Sequence, residues 1–267
     1  MGARHKGWVD AGGICQRYAL SGQGPLTVVL VHEMGGSIES WDAVVERLEG
    51  EHRLLCYDQR GFGLSEKNRD ITLGTLEADL AALLDGLDIA QPVVLAGAAL
   101  GAAVCLAFAL RYPQRTAGLV VSSPATGGMP QAARDAMQDR MRKVRAHGMR
   151  GVADAMLEVT YPAPLRDRQE AFRLHRQRWL AIDPDSFIAV NEMLASFDLE
   201  PRLSAIGCPV RVIGCTHDAI RPPQRSREIA ARMPQASYVE HPSGHFMPLQ
   251  TPALFADELR QFIGRTI

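Results

Sequence analysis

The stretch that most constrains the fold of this chain is Val93–Val104, where a short apolar segment passes through small residues into an alanine-rich segment. The run Pro92–Leu95 predicts a buried strand, and Leu100–Tyr112 predicts a helix because alanine and leucine are strong helix formers. Gly97 and Gly101 stand four residues apart around the junction. Glycine is needed where strand and helix approach too closely for a Cβ. The pattern predicts a strand that turns sharply into a helix and displays one side chain at the top of a sheet.

The residue that this turn displays is Ala99. In the pattern G-x-S-x-G the central position carries a nucleophile. Alanine has no oxygen, sulfur or carboxylate with which to attack a substrate. The surroundings therefore indicate an enzyme from which the attacking atom is absent, and the interpretation of the whole chain depends on this conflict.

Apolar, strand-like runs alternate with helical runs along most of the chain. Strands are predicted at Ile14–Leu20, Leu26–Val31, Arg53–Tyr57, Pro92–Leu95, Ala117–Val121, Pro209–Gly214 and Ser237–Glu240, and helices at Ile38–Leu48, Ile71–Leu87, Leu100–Tyr112, Arg225–Met233 and Pro252–Ile263. This alternation predicts an α/β fold with a doubly wound, mostly parallel sheet. In such sheets, sites form at the carboxyl ends of the strands.

The alternation is interrupted between residues 127 and 203, which contain no strand-like run. We expect three or four short helices here, forming a cap inserted into a sheet domain made of residues 1–126 and 204–267. From Pro130 through Arg178 the segment carries 11 lysine and arginine residues against 6 aspartate and glutamate residues. The surplus fits a solvated face on amphipathic helices, or a cap that attracts small anionic substrates.

Two residues near the end of the chain could complete a catalytic group. Asp218 follows a predicted strand, and His245 lies in the loop after the last predicted strand. Acyl-enzyme hydrolysis needs a nucleophile, an acid and a histidine in hydrogen-bond contact, and in this architecture they follow that chain order. Alone, such an aspartate is more often a turn residue, and such a histidine is more often merely solvated. Together with position 99, they predict His245 as the general base and Asp218 as the residue that fixes its tautomer.

A developing oxyanion would need backbone donors. One candidate is the N–H of Leu100, at the positive end of the predicted helix. The second is the N–H of Met34, in the loop His32–Gly36 that follows the strand ending at Val31. The alternative for this loop is a tight connection without chemistry.

With these motifs in place, the chain resembles the α/β-hydrolase superfamily over nearly all of its length. The matching segments are His32–Gly36, Asp58–Ser65 (D-x-R-G-x-G-x-S), Gly97–Gly101, His217–Asp218 with Pro222–Pro223, and Gly244–Phe246. Within the superfamily it is most similar to the small bacterial 3-oxoadipate enol-lactonase-type hydrolases. The resemblance implies an α/β-hydrolase fold with a helical cap and hydrolysis of a small carboxylic ester or lactone. Related members with similar motifs cleave C–C bonds, esters or amides.

The chain departs from the family pattern at two positions. Glu33 stands where a glycine often follows the histidine, which brings a carboxylate close to the oxyanion loop, either facing solvent or disfavouring anions in the site. Ala99 stands where the family has serine.

Three explanations of Ala99 are open. The chain is an engineered Ser→Ala variant that holds an uncleaved substrate, a natural ligand-binding protein, or an enzyme in which the Asp218–His245 pair acts without a nucleophile, in C–C cleavage or cofactor-free oxygenation. The turn holds its central residue at positive φ, which costs a non-glycine residue about 1–3 kcal/mol. A pure binding protein could relax this position to glycine, so the strain favours the first explanation.

Composition limits the partners. A net charge of −1 gives no field that favours nucleic acid, and no apolar run approaches the roughly 18 residues of a membrane span. The five cysteines form no C-x-x-C pair, which favours free thiols in a reducing cytoplasm. No metal-ligand cluster or dinucleotide fingerprint is present, so we expect neither a metal nor a cofactor. The expected partner is a small-molecule substrate; its identity and the oligomeric state are left open.

Overall fold

A computed structural model of the protein describes residues 4–266, so residues 1–3 and 267 of the predicted sheet domain lie outside the described residues. The strands are β1 (His5–Ala11), β2 (Ile14–Ser21), β3 (Thr27–Val31), β4 (Arg53–Tyr57), β5 (Val93–Ala98), β6 (Thr116–Ser122), β7 (Val210–Cys215) and β8 (Ala236–His241). The α-helices are α1 (Asp42–Leu48), α2 (Leu73–Gly86), α3 (Leu100–Arg111), α4 (Gln131–His147), α5 (Ala153–Thr160), α6 (Gln169–Leu180), α7 (Pro184–Ser196), α8 (Pro223–Ala230), α9 (Met247–Gln250) and α10 (Pro252–Thr266). Short 3-10 helices lie at Ile38–Trp41, Pro113–Arg115, Met149–Gly151, Ala163–Leu165 and Glu200–Ala205.

Within residues 4–266, eight strands form one sheet in the order β1-β2-β4-β3-β5-β6-β7-β8. The neighbouring pairs β4–β3, β3–β5, β5–β6, β6–β7 and β7–β8 are parallel. The pairs β1–β2 and β2–β4 at one edge are antiparallel. The predicted doubly wound, mostly parallel sheet is thereby confirmed. The strand β1 was not predicted.

The sheet is buried on both faces. In β3, Val29 and Val31 pack with α2 and α3 on one side, and Val28 and Leu30 pack with α1 and α10 on the other. A strand covered on both faces is apolar at every position rather than at alternate ones, which explains the continuous apolar runs in the sequence.

The described chain places four α-helices, α4 to α7, between β6 and β7. We call residues 127–203 the inserted segment. It has its own apolar cluster, in which Trp179, Phe187 and Tyr161 are fully buried. This cluster also contains Phe246, next to His245 in the chain, so the inserted segment packs onto the loop that carries the predicted base.

The glycines of the central turn have the packing role that the sequence predicts. A Cβ on Gly101 would lie 2.0 Å from the carbonyl oxygen of Val31, and a Cβ on Gly97 would lie 2.6 Å from the carbonyl carbon of Gly101. The start of α3 therefore rests directly on the end of β3. None of the helices described between residues 4 and 266 is long and apolar enough to span a membrane.

Candidate active site

Ala99 lies at the junction of β5 and α3 in a strained conformation, with φ 52° and ψ −107°. Its backbone is fixed from two directions: its N–H donates to Ser122 O at 3.0 Å, and its carbonyl accepts from Ala125 N at 3.1 Å. The side chain is 3% exposed. Neighbouring backbone thus holds the residue in a conformation that a non-glycine residue rarely adopts.

The structure brings His245 and Asp218 together. His245 Nδ1 lies 2.9 Å from Asp218 Oδ2, while Asp218 Oδ1 accepts from the backbone N–H groups of Ile220 and Arg221, each at 2.9 Å. Burial works to raise the pKa of Asp218, but the charge and hydrogen bond of His245 outweigh it and hold the pKa below its usual value. An ionised Asp218 requires His245 to donate from Nδ1, so Nε2 carries the lone pair and is the acceptor nitrogen of the ring.

Arg221 is a site residue that the sequence interpretation missed. Its Nη1 lies 3.4 Å from His245 Nε2, on the ring edge opposite Asp218. Arg221 lies between His217–Asp218 and Pro222–Pro223, the two parts of one segment that matches the family. The only available signal was therefore its position within a matching segment, because nothing in the local pattern shows which way its side chain points.

The two predicted oxyanion donors come from segments in contact. Leu100 is the first residue of α3, so its N–H has no carbonyl acceptor within the helix and lies at the positive end of the helix dipole. Met34 lies in a tight turn closed by a hydrogen bond from Gly36 N to Glu33 O at 3.0 Å. This turn begins where β3 meets the start of α3.

His32 fixes the loop that carries Met34 through the hydrogen bonds of its imidazole ring. His32 Nδ1 lies 2.7 Å from Glu33 O, and Nε2 accepts from the backbone N–H of Gln59 at 2.9 Å. Glu33 is 1% exposed and accepts from Ser40 Oγ at 2.9 Å. The possibility that Glu33 faces solvent was wrong, because the carboxylate is buried beneath Gly36 and bonded to Ser40.

The D-x-R-G-x-G-x-S segment has a structural role. The fully buried Asp58 accepts from the backbone N–H groups of Ile38 at 2.7 Å and Leu64 at 2.8 Å, and Arg17 Nη1 lies 3.2 Å from the same carboxylate. A Cβ on Gly63 would lie 2.1 Å from Asp58 Oδ2. The motif ties the loops after β3 and β4 together, which keeps the loop containing Met34 in place.

The inserted segment encloses the centre. The exposed fractions of Ala99, Asp218 and His245 are 3%, 3% and 6%. Asn191 Nδ2 of α7 lies 3.6 Å from Met34 Sδ, and Gln250 Nε2 donates to Thr160 O of α5 at 2.8 Å. The three side chains are therefore buried, and the inserted segment contacts the sheet domain at Met34 and Gln250.

A groove of about 380 Å³ opens nearby, lined by Gly35, Gly36, Phe62, Lys67 and Arg178 among others. Ala99, Asp218 and His245 do not line it. Its volume therefore does not measure the space around His245. Across the described residues, no group of three or more histidine, cysteine or acidic side chains could hold a metal ion.

Comparisons with known proteins match this architecture. The model of the alpha/beta hydrolase family matches residues 28–258. A RutD protein of Caulobacter sp. (strain K31), provisionally named a carbamate hydrolase, is 29% identical over 245 residues, which cover 89% of this chain and 90% of that protein. The enol-lactonase from Burkholderia xenovorans LB400 superposes with a TM-score of 0.90 at 25% identity, covering 97% of this chain and 100% of that one. A thermophilic esterase from Thermogutta terrifontis, solved with malate bound, has a TM-score of 0.90 at 27% identity, covering 98% of both chains.

Proposed function

The chain belongs to the alpha/beta hydrolase family, and we propose that its centre is that of a serine-type hydrolase of a small carboxylic ester or lactone in which alanine occupies the nucleophile position. The observation that carries this proposal is Ala99, held at φ 52° at the start of α3 while the Asp218–His245 pair remains oriented. Strain of this kind persists where it positions a reacting group, and alanine supplies none. We therefore interpret the chain as the inactive Ser→Ala form of an acyl-enzyme hydrolase.

In the serine form, each residue has a defined task. The hydroxyl at position 99 attacks the carbonyl carbon, and His245 Nε2 accepts its proton and then delivers that proton to the leaving group. Asp218 keeps the Nδ1 proton in place and stabilises the imidazolium. The N–H groups of Leu100 and Met34 stabilise the oxyanion, and a water activated by His245 releases the acid.

The names of the similar proteins support hydrolysis in general and leave the bond open. An enol-lactonase and an esterase share the fold at TM-scores of 0.90, which favours the ester or lactone class. The carbamate hydrolase name of the Caulobacter protein belongs to a related acyl-transfer reaction. A panel of substrates therefore has to contain esters, lactones and amides.

We also propose that residues 127–203 form the cap of this hydrolase and shape its substrate pocket. Support comes from their position over Met34 and His245. The five free cysteines favour a reducing compartment, the cytoplasm.

The second candidate is a protein that does not use an acyl-enzyme, either a ligand receptor or an enzyme in which Asp218 and His245 act alone. Ala99 itself favours this candidate. It differs from the first in one respect that can be measured: restoring a hydroxyl at position 99 would add nothing to its activity.

The test compares Ala99→Ser with the chain as given, on esters, enol-lactones and amides and by labelling with a fluorophosphonate. We expect the serine form to hydrolyse at least one class roughly 10⁴–10⁶-fold faster, the range for losing a triad nucleophile, and to gain one phosphonate adduct at residue 99. The chain as given controls for its own buried Ser122 and Ser123, and Ala99→Ser with His245→Asn controls for the base. An inert, unlabelled serine form beside an Ala99 chain that binds or transforms a ligand would favour the second candidate.

A further inference from the structure

Arg221 carries a positive charge beside the predicted base without a carboxylate of its own. Its guanidinium lies 3.4 Å from His245 Nε2, and no side-chain carboxylate of residues 4–266 comes within ion-pair distance of it. Asp218 is the nearby anion, but its two oxygens are engaged by His245 and by backbone N–H groups. The charge of Arg221 is therefore attracted to Asp218 without being bonded to it.

The surroundings of Arg221 leave most of its donors without an acceptor from the protein. Burial of its head group lowers the pKa of the guanidinium, and the charge of Asp218 opposes that effect only in part. A guanidinium has five N–H donors in a planar fork, and among the described residues only His245 Nε2 accepts from this one. Arg221 is half-buried, so the other donors of its fork face water or are available to a ligand.

A second cation approaches the same region from the inserted segment. Arg140 of α4 lies 3.2 Å from Asn191 Oδ1, and Asn191 in turn contacts Met34 Sδ. Burial lowers the pKa of Arg140, with no opposing charge. Arg140 forms no ion pair within the described part of the chain, so it too carries an uncompensated charge toward the predicted oxyanion loop.

Most other cations of the inserted segment differ from Arg140 in having carboxylate partners. Arg142 and Lys143 share Asp139, and further pairs join Arg145 with Glu192, Arg166 with Glu158, Arg173 with Glu170, and Arg176 with Asp154. Arg134, Arg150, Arg168, Arg178 and Arg202 also form no ion pair within the described residues, so Arg140 and Arg221 are distinguished by their positions beside Met34 and His245.

We propose that Arg221 binds a carboxylate of the ligand next to His245, so that the site selects esters or lactones that carry a free carboxylate group. This proposal extends the proposed function and rests on it, because only under that function is the bound ester or lactone a substrate. The planar fork of arginine matches a carboxylate with two parallel hydrogen bonds. A bound carboxylate also draws the guanidinium away from His245 Nε2, which leaves that nitrogen free to act as base.

The experiment measures binding by titration calorimetry to the chain as given, which keeps Ala99 and does not consume an ester. The probes are monomethyl glutarate, an anion, and dimethyl glutarate, its neutral counterpart of nearly the same shape. We expect the monomethyl ester to bind more tightly, and the ratio of the two affinities to fall at least tenfold in Arg221→Gln. Arg221→Lys keeps the positive charge but loses the planar set of donors, so its affinity ratio should lie between those of the parent and of Arg221→Gln.

Arg227→Gln is the matched control, because Arg227 is an exposed arginine on α8 whose partner Glu240 lies 3.4 Å away; it should leave the ratio unchanged. Equal affinities for the two esters, no binding of either, or a folded Arg221→Gln with an unchanged ratio would overturn the assignment. If the ratio depends on Arg221 while Ala99→Ser hydrolyses nothing, the proposed function fails and the carboxylate site stands. If Ala99→Ser hydrolyses both esters equally and Arg221→Gln changes nothing, the hydrolase stands and the carboxylate site fails.

Discussion

At the scale of single residues, Ala99 shows how neighbouring backbone can hold a non-glycine residue in a strained conformation. Its φ of 52° is accompanied by backbone hydrogen bonds to Ser122 and Ala125. A serine has the same backbone and only one atom more. Under the proposed function, a single substitution at position 99 would supply the missing hydroxyl, because the Asp218–His245 pair is already in place.

A first prediction concerns Glu39, which pairs with Arg17 at 2.7 Å and accepts from Ser37 Oγ at 2.7 Å. Burial works to raise the pKa of Glu39, but these partners prevail and lower it from 4.5 to about 2. A depressed carboxyl pKa stabilises the fold above the unfolded value, and that stabilisation is lost as the pH falls from about 4.5 toward about 2. Because the group is partly exposed, solvent screening limits the contribution to about 1 kcal/mol.

Glu39→Gln should therefore lower the free energy of unfolding by about 1 kcal/mol at pH 7, with the difference from the parent disappearing toward pH 2. Urea denaturation at a series of pH values measures it. Glu46→Gln, an exposed change on α1, is the control and should show no such trend. A deficit in Glu39→Gln that is equally large at pH 7 and pH 2.5 would mean that packing, not charge, is responsible.

At the scale of elements, the contact of α3 with β3 fixes the position of the whole centre. A Cβ on Gly101 would lie 2.0 Å from Val31 O and 2.6 Å from His32 O, and both are backbone atoms of a central strand and its loop. Neither atom can move without breaking the ladder with β4 and β5. We expect Gly101→Ala to be destabilised by several kcal/mol, on the order of a severe overpacking change, or not to fold.

Gly264→Ala is the matched control for this prediction. Gly264 lies in α10 with no atom within 4 Å of a built Cβ, so alanine there should stabilise the helix by up to about 1 kcal/mol through its higher propensity. Thermal unfolding of both variants tests the contrast. A Gly101→Ala protein as stable as the parent would show that α3 can shift away from β3.

The sequence predicted the buried central strands, and it also predicted β8, whose residues are half-buried or exposed. The strands β3 to β7 were predicted to within a few residues because a strand covered on both faces is continuously apolar. β1 was missed because its residues are exposed or half-buried and it is held by pairing with β2. The predicted helix Ile38–Leu48 begins as a 3-10 turn, Ile38–Trp41, before α1.

The candidate site residues also divide into those marked by a local sequence signal and those that are not. Asp218 and His245 could be singled out as a candidate pair because their chain order and strand positions are local signals, and the structure brings their side chains to 2.9 Å. The roles of Asp58 and Arg221 could not be predicted, since Asp58 bonds to Arg17 across 41 positions and Arg221 reaches His245 across 24. Such contacts exist only once the sheet has brought distant segments together.

At the scale of the whole molecule, the centre lies at the boundary between the sheet and the inserted segment. The described residues form two apolar clusters on the faces of the sheet and a third that belongs mainly to the inserted segment. The third cluster reaches the sheet domain at Met34, Phe246 and Leu249. Because Met137 of α4 and Val190, Met193 and Leu194 of α7 belong to the sheet cluster, local opening is expected first at α5 and α6, whose buried apolar residues belong to the third cluster.

Gln250 links the inserted segment to the loop that contains His245 through two hydrogen bonds. Its Oε1 accepts from the backbone N–H of Phe246 at 3.0 Å, and its Nε2 donates to Thr160 O at the end of α5 at 2.8 Å. Gln250 is 6% exposed and Thr160 2%, so both bonds are shielded from water and each contributes about 1 kcal/mol. Replacing Gln250 by methionine keeps the length of the side chain and removes both bonds.

In Gln250→Met we therefore expect backbone amides of Ala153–Thr160 to exchange with solvent roughly tenfold faster, because losing about 1.4 kcal/mol of local stability raises the open population tenfold. Hydrogen exchange followed by mass spectrometry measures this, with β3 and β5 expected to remain protected. Gln235→Met is the control, since it removes one exposed bond to Gly207 O far from the inserted segment. If exchange in α5 does not respond, or if β3 accelerates equally, the segment does not open independently at this contact and the substrate must reach His245 by another route.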